Sequence, residues 1–163
     1  MVTLEAINED NFADILDLTA DTALVAPNSY SLAEAYTALK EVQDGKIPAE
    51  YALQPFAVKC GDEYMGFAMI GLEDGEDVNA GSEIYWLSRL MIDDKHQRKG
   101  YGKQVMTALI EYIKSKPHGR KVDYFYTSVV PDGKGGAEKF YKAFGFENMG
   151  IKWGDEDLMK LTL

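Results

Sequence analysis

A strand-like apolar run, Glu83 to Ile92, is joined to a helix-like amphipathic run, Gly102 to Ser115, by Gln97-Arg98-Lys99-Gly100-Tyr101-Gly102, and this junction restricts the folds open to the chain. Upstream, Glu83-Ile84-Tyr85-Trp86-Leu87-Ser88-Arg89-Leu90-Met91-Ile92 is dense in β-formers and too apolar for a loop, with Asp93-Asp94 as a polar stop, so it predicts a mostly buried central strand. Downstream, Val105, Met106, Leu109, Ile110 and Ile113 recur at spacings of three and four, while Lys103, Gln104, Thr107, Glu111 and Lys114 take the other side. That pattern predicts a helix, which Pro117 ends. Two glycines separated by one residue let the backbone curl, so several amide N–H groups can converge at the positive end of the helix macrodipole. Such a junction cradles a pyrophosphate.

Two other phosphate motifs fail on these residues. A Walker A loop needs Ser or Thr after its lysine and a glycine five positions before its last glycine, whereas Lys103 is followed by Gln104 and Gln97 occupies the earlier position. A dinucleotide-binding fingerprint needs a small residue where Val105 stands, and a run of βαβ units that the rest of the pattern does not supply.

With 163 residues and 46% apolar content, the chain is expected to form one domain, residues 1–163, around one core. The lone Cys60 cannot form an intrachain disulfide, and Met1-Val2-Thr3-Leu4-Glu5-Ala6 does not read as a signal segment, so a cytoplasmic protein is expected. No apolar run approaches the ~18 residues of a membrane helix. A net charge of −10 argues against nucleic acid and points to cationic small molecules. His96, His118 and Cys60 lack zinc-ligand spacing, so no metal is expected and the two histidines read as surface side chains. Cys60, ending a strand, reads as a small packed residue.

Along the chain, Val2 to Ile7 predicts a first strand, with Asn8 capping a helix whose buried side carries Phe12, Ile15, Leu16 and Leu18. A Pro27-Asn28-Ser29 turn leads to a helix from Ser31 to Val42. Strands at Phe56 to Cys60 and Tyr64 to Gly71 flank a Gly61-Asp62-Glu63 turn, and the acidic stretch Glu73 to Gly81 reads as a solvated loop able to gather cations. A strand at Lys121 to Val129, a helix at Lys134 to Ala143 and strands at Phe146 to Trp153 and Asp157 to Leu163 complete the order. By the period of two, Trp86 and Arg89 are expected on opposite faces of the central strand.

The junction fits the Q/R-x-x-G-x-G/A signature, and over nearly its whole length the chain resembles the GCN5-related N-acetyltransferases. A second marker, Ala137-Glu138-Lys139-Phe140-Tyr141-Lys142-Ala143-Phe144-Gly145-Phe146, is similar to the family's A-x-x-x-Y-x-x-x-G-F element. The closing Asp157-Leu158-Met159-Lys160-Leu161 is similar to its last strand, and Val25 to Ala35 resembles the diamine and spermidine/spermine branch. The resemblance implies an α/β fold: a mixed, mostly antiparallel sheet of about seven strands, splayed where the cofactor enters, flanked by about four helices. It implies acetyl-CoA as cosubstrate and a primary amine as acceptor, polyamines or diamines first. Other small amines and a non-catalytic acyl-CoA sensor are the alternatives. Members of the family often pair, so a homodimer is a further expectation.

Carried onto this chain, the cofactor would meet Gln97, Arg98, Lys99, Gly100, Tyr101, Gly102 and Lys103 at its phosphates and the backbone of Leu90, Met91 and Ile92 along its pantetheine arm. Tyr141 matches the family tyrosine beside the thioester sulfur, taken as general acid, since a phenol of ordinary pKa about 10 is protonated at neutral pH. Two positions depart from the pattern. Lys134 stands where many members have an asparagine, able to meet a phosphate as a point charge. Ser88 stands where some polyamine enzymes have a glutamate, and a serine is a poor base by itself. The base is left among Glu34, Glu83 and an ordered water, with Glu34 and Ser88 assigned to the substrate side.

Overall fold

The computed structural model describes residues 1–20, 26–131 and 136–163. Its elements run β1 (Val2–Ala6), α1 (Phe12–Asp17), α2 (Asn28–Gln43), β2 (Gln54–Cys60), β3 (Glu63–Glu73), β4 (Ile84–Ile92), α3 (Tyr101–Lys114), β5 (Tyr124–Val129), α4 (Ala137–Lys142), β6 (Glu147–Trp153) and β7 (Glu156–Thr162). The strands form a 7-stranded sheet in the order β1-β2-β3-β4-β5-β7-β6. This is the α/β architecture that the motifs imply.

Every neighbouring pair is antiparallel except β4 and β5, which are parallel and need a crossover, supplied by α3. Their pairing covers only Tyr85 with Phe125 and Trp86 with Tyr126. One step further, the Thr127 hydroxyl donates to the Leu87 carbonyl at 3.1 Å, and beyond it the strands part. The sheet therefore forks at its centre.

On one face, α3 and α4 cover Tyr85, Leu87 and Phe125 with Val105, Met106, Leu109 and Tyr141. On the other, Ile15 of α1 and Leu32 and Ala35 of α2 pack on Ala57, Phe67, Met69 and Met91. Beside them lies a second cluster of Ile84, Trp86, Tyr126 and Leu158. Each set follows the alternation of its strand, interrupted at Met65 in the β2–β3 ladder and again in β4. Met69 pairs with Arg89 but Ile70 with Leu87, so Ser88 is an extra residue. The bulge shifts the alternation by one position. Trp86, opposite Gly71, and Arg89, opposite Met69, consequently share a face, against the expectation from strict period two.

Several local expectations change for tertiary reasons. Helix α1 is only 6 residues long and turns Ile15 alone fully inward, leaving Phe12 44% and Leu16 39% exposed. Asn11, not Asn8, precedes it; Asn8 closes the turn by accepting the Phe12 N–H on its carbonyl at 3.0 Å. Helix α2 begins at Asn28, whose buried amide donates to the Ile15 carbonyl at 2.8 Å. His96 is not a surface residue: it is buried, with Nε2 3.0 Å from the Glu63 carboxylate. Cys60 is half-buried.

Candidate active site

The cradle and the fork sit at the same end of β4. Arg98 and Gly100 hold φ angles of 60° and 84°, so the chain curls twice in the left-handed region before α3 begins. The first backbone hydrogen bond into α3 is Gln104 N–H to Gly100 O at 3.4 Å. Among the described residues, the amides of 98–103 have no backbone acceptor. Gln97 braces the curl by donating to the Ile92 carbonyl and the Asp94 carboxylate, both at 3.0 Å. Lys99 likewise donates to the Lys95 carbonyl at 2.8 Å, whereas Arg98 and Lys103 are exposed and have no carboxylate partner among the described residues. Tyr101 lies edge-on to His96, and Gly102 faces the Phe140 ring, which would stand 3.5 Å from a Cβ there. Helix α4 is thereby seated against the start of α3.

Strand β4 is paired with β3 as far as Ile92, but its opposite edge loses its partner after Trp86. Leu90, Met91 and Ile92 lie on that open edge. An unpaired strand edge of N–H and C=O groups receives an extended, amide-bearing ligand as an added strand.

Tyr141 reaches the fork from α4. Its ring packs between Phe140 and Phe146, with centroids 5.2 and 5.3 Å away, and only 8% of the residue is exposed. Burial pushes its phenol up to about 12, with the Thr127 hydroxyl beside it acting in the opposite sense and the charge of Glu156 adding to the rise. Such a group holds its proton throughout the neutral range. The site thus combines free amides for phosphate, an open strand edge and a buried hydroxyl donor.

The remaining candidates are distributed unevenly. Ser88 is exposed at the bulge. Glu34 is exposed on α2, beside a shallow hollow of about 380 Å³ shared with Tyr30, Thr37 and Glu41. Its charge reaches Arg89, whose guanidinium is pushed below its usual pKa by burial and donates to the Ala26 carbonyl and, at 3.1 Å, to Asn28 Oδ1. Glu83 is not gathered into this group. Preceding β4 at the end away from the open edge, it accepts from the Tyr51 hydroxyl at 2.7 Å and pairs with Arg120. Lys134 lies outside the described residues. Thr127 was the unnoticed member of the fork; its place two residues after Phe125 in an alternating strand is the signal that marks it as inward-facing.

At the end of β3, Glu73 is pushed up to about 7 by burial and, secondarily, by the charges of Asp77 and Asp74. A carboxyl raised in the folded state contributes stability below its unfolded value, about 4.3, and that contribution is lost as pH rises through 7. Glu73→Gln is therefore expected to raise the thermal midpoint at pH 8 and to change it little at pH 4. An equal offset at both pH values would refute the assignment.

Residues 15–146 match the profile of the acetyltransferase (GNAT) family. A spermine/spermidine N(1)-acetyltransferase of Bacillus subtilis (strain 168) is 30% identical over 146 residues, which cover 90% of this chain and 88% of that enzyme. The aminoglycoside acetyltransferase AAC(6')-Ib in complex with coenzyme A superposes with a TM-score of 0.71 at 21% identity, over 99% of this chain and 95% of that one. A GNAT family acetyltransferase from Elizabethkingia anophelis with acetyl-CoA bound gives 0.64 at 13% identity, over 99% and 98%. These two likenesses concern the fold.

Proposed function

The chain belongs to the acetyltransferase (GNAT) family, and from that premise we propose that it transfers the acetyl group of acetyl-CoA to a primary amine of a polyamine or diamine in the cytoplasm. The observation that carries this reading is the fork, where a buried phenol, an open strand edge and the free amides of a helix start converge. Acetyl-CoA, when bound, supplies an activated thioester, and these residues fit it. The amides of 98–103 hold the pyrophosphate, with Arg98, Lys99 and Lys103 adding charge. The backbone of Leu90 to Ile92 would align the pantetheine arm, and Tyr141 would donate a hydrogen bond to the sulfur as the carbon–sulfur bond breaks.

The polyamine acceptor is supported by the named activity of the Bacillus relative and by a net charge of −10, which favours a cationic substrate. Glu34 and Ser88 belong to the amine side of this reading. The test is thiol release from acetyl-CoA with spermidine, spermine, putrescine, aminoglycosides and amino acids. Turnover confined to polyamines and diamines is expected. Turnover on the other amines would overturn the acceptor, and cofactor binding without turnover would make the protein an acyl-CoA sensor.

A further inference from the structure

The amine side of the fork carries a carboxylate that the motifs do not mark. We propose that Glu156 binds the ammonium group of the substrate there, with Trp86 and Trp153 forming an aromatic wall along which the cationic chain lies. The inference rests on the acetyltransferase reading and supplies the acceptor site that the reading lacks.

Position comes first. Glu156 opens β7 directly opposite Trp153 of β6, and cross-strand partners share a face. Two residues on, Leu158 packs with Trp86 and Tyr126, so Glu156 and Trp153 lie on the face of Trp86, opposite that of α3 and α4. The Trp86 and Trp153 rings are 5.1 Å apart, and Trp153 remains 39% exposed.

The hydrogen bonding then ties this carboxylate to the reacting centre. Glu156 accepts from the Ser128 hydroxyl. Ser128 directly follows Thr127, which marks the fork and adjoins Tyr141. Because successive β5 residues face opposite sides, the Tyr141 phenol beside Thr127 and the Glu156 carboxylate on Ser128 lie on opposite faces of the sheet, reached from adjacent residues of β5.

Charge completes the argument. The next carboxylate on β7, Asp157, is neutralised by Lys152 at 2.6 Å, but Glu156 has no cationic partner among the described residues. A half-buried carboxylate beside two indoles offers an ammonium group both an ion pair and a π-face. A cationic substrate lying on this face beside β5 would be its partner. Glu156 falls between the two closing strands expected from sequence, Phe146 to Trp153 and Asp157 to Leu163, which hides this role.

The test measures spermidine binding by calorimetry to the CoA-loaded protein, with Glu156→Gln and Glu156→Asp beside the parent, together with KM and kcat for spermidine. Glu156→Gln is expected to weaken spermidine binding and raise its KM by about 10- to 100-fold, the span of a lost charge-assisted contact. CoA affinity should not change, and Glu156→Asp should recover part of the loss. Equal spermidine affinity in parent and Gln variant would overturn the proposal while leaving the acetyltransferase reading intact. Spermidine that neither binds the parent nor is acetylated would overturn both the polyamine acceptor and this site. If the Gln variant fails to bind CoA, Glu156→Ala decides, with parent-like spermidine KM counting against the role.

Discussion

Replacing Tyr141 with phenylalanine is expected to lower kcat by about 100- to 1000-fold, the span typical of removing one preorganised donor from a transition state. KM for acetyl-CoA should change little, because the aromatic contacts with Phe140 and Phe146 survive the loss of one oxygen. The raised pKa shapes the role. A phenol pushed up to about 12 is a firm hydrogen-bond donor but a weaker acid than a thiol of ordinary pKa about 8.5. In the proposed reaction it would stabilise charge developing on sulfur, with net protonation completed as the amine gives up its own proton. Consequently, Tyr141 should impose no alkaline loss of activity between pH 8 and 10. Steady-state kinetics across that range check both statements, and a phenylalanine variant with kcat within threefold of the parent would remove Tyr141 from the mechanism.

Gly66→Ala is expected to strike β4, the strand proposed to align the cofactor, from its other edge. A Cβ at Gly66 would lie 2.5 Å from the Met91 carbonyl oxygen and 3.0 Å from Ile92 Cδ1. The closest obstacle is backbone within the β3–β4 pairing, so it cannot rotate away, and relief requires β4 to shift along Met91 and Ile92. Overpacking of this kind costs about 1–3 kcal/mol, which for a chain of this size lowers the thermal midpoint by about 3–10 °C. The same displacement moves the edge proposed to hold pantetheine, so KM for acetyl-CoA should rise more than kcat falls. Thermal unfolding and kinetics together test the link. A destabilised variant with parental KM would separate the strand's packing from cofactor binding.

Much of the scaffold is legible in the chain because its signals are local. The apolar run before Asp93, the periodic apolar residues of α3 and the glycines between them each state their conformation within a dozen residues, and the observed β4 differs from expectation by one residue at its start and α3 by one residue at each end. Tyr141 is equally legible, through its spacing to Gly145 and Phe146. Other residues mislead because their neighbours are distant in sequence. His96 is buried by meeting Glu63, Phe12 stays outside because a short helix presents one side to the sheet, and Glu83 is engaged by Arg120 across the fold.

The sequence by itself determined the run of strands and helices, the glycine turn before α3 and the aromatic helix that carries the hydroxyl, since backbone preference and hydrophobic period act over short spans. Only the tertiary structure decided which residues meet at the fork. An extra residue at Ser88 changes which side Arg89 faces, and the end of β4–β5 pairing after two matched positions opens the gap. The return of β7 beside β5 brings Glu156 to Ser128 across 28 positions of sequence. Register and strand order are set by the packing of whole faces against one another, and no local stretch of residues contains that information.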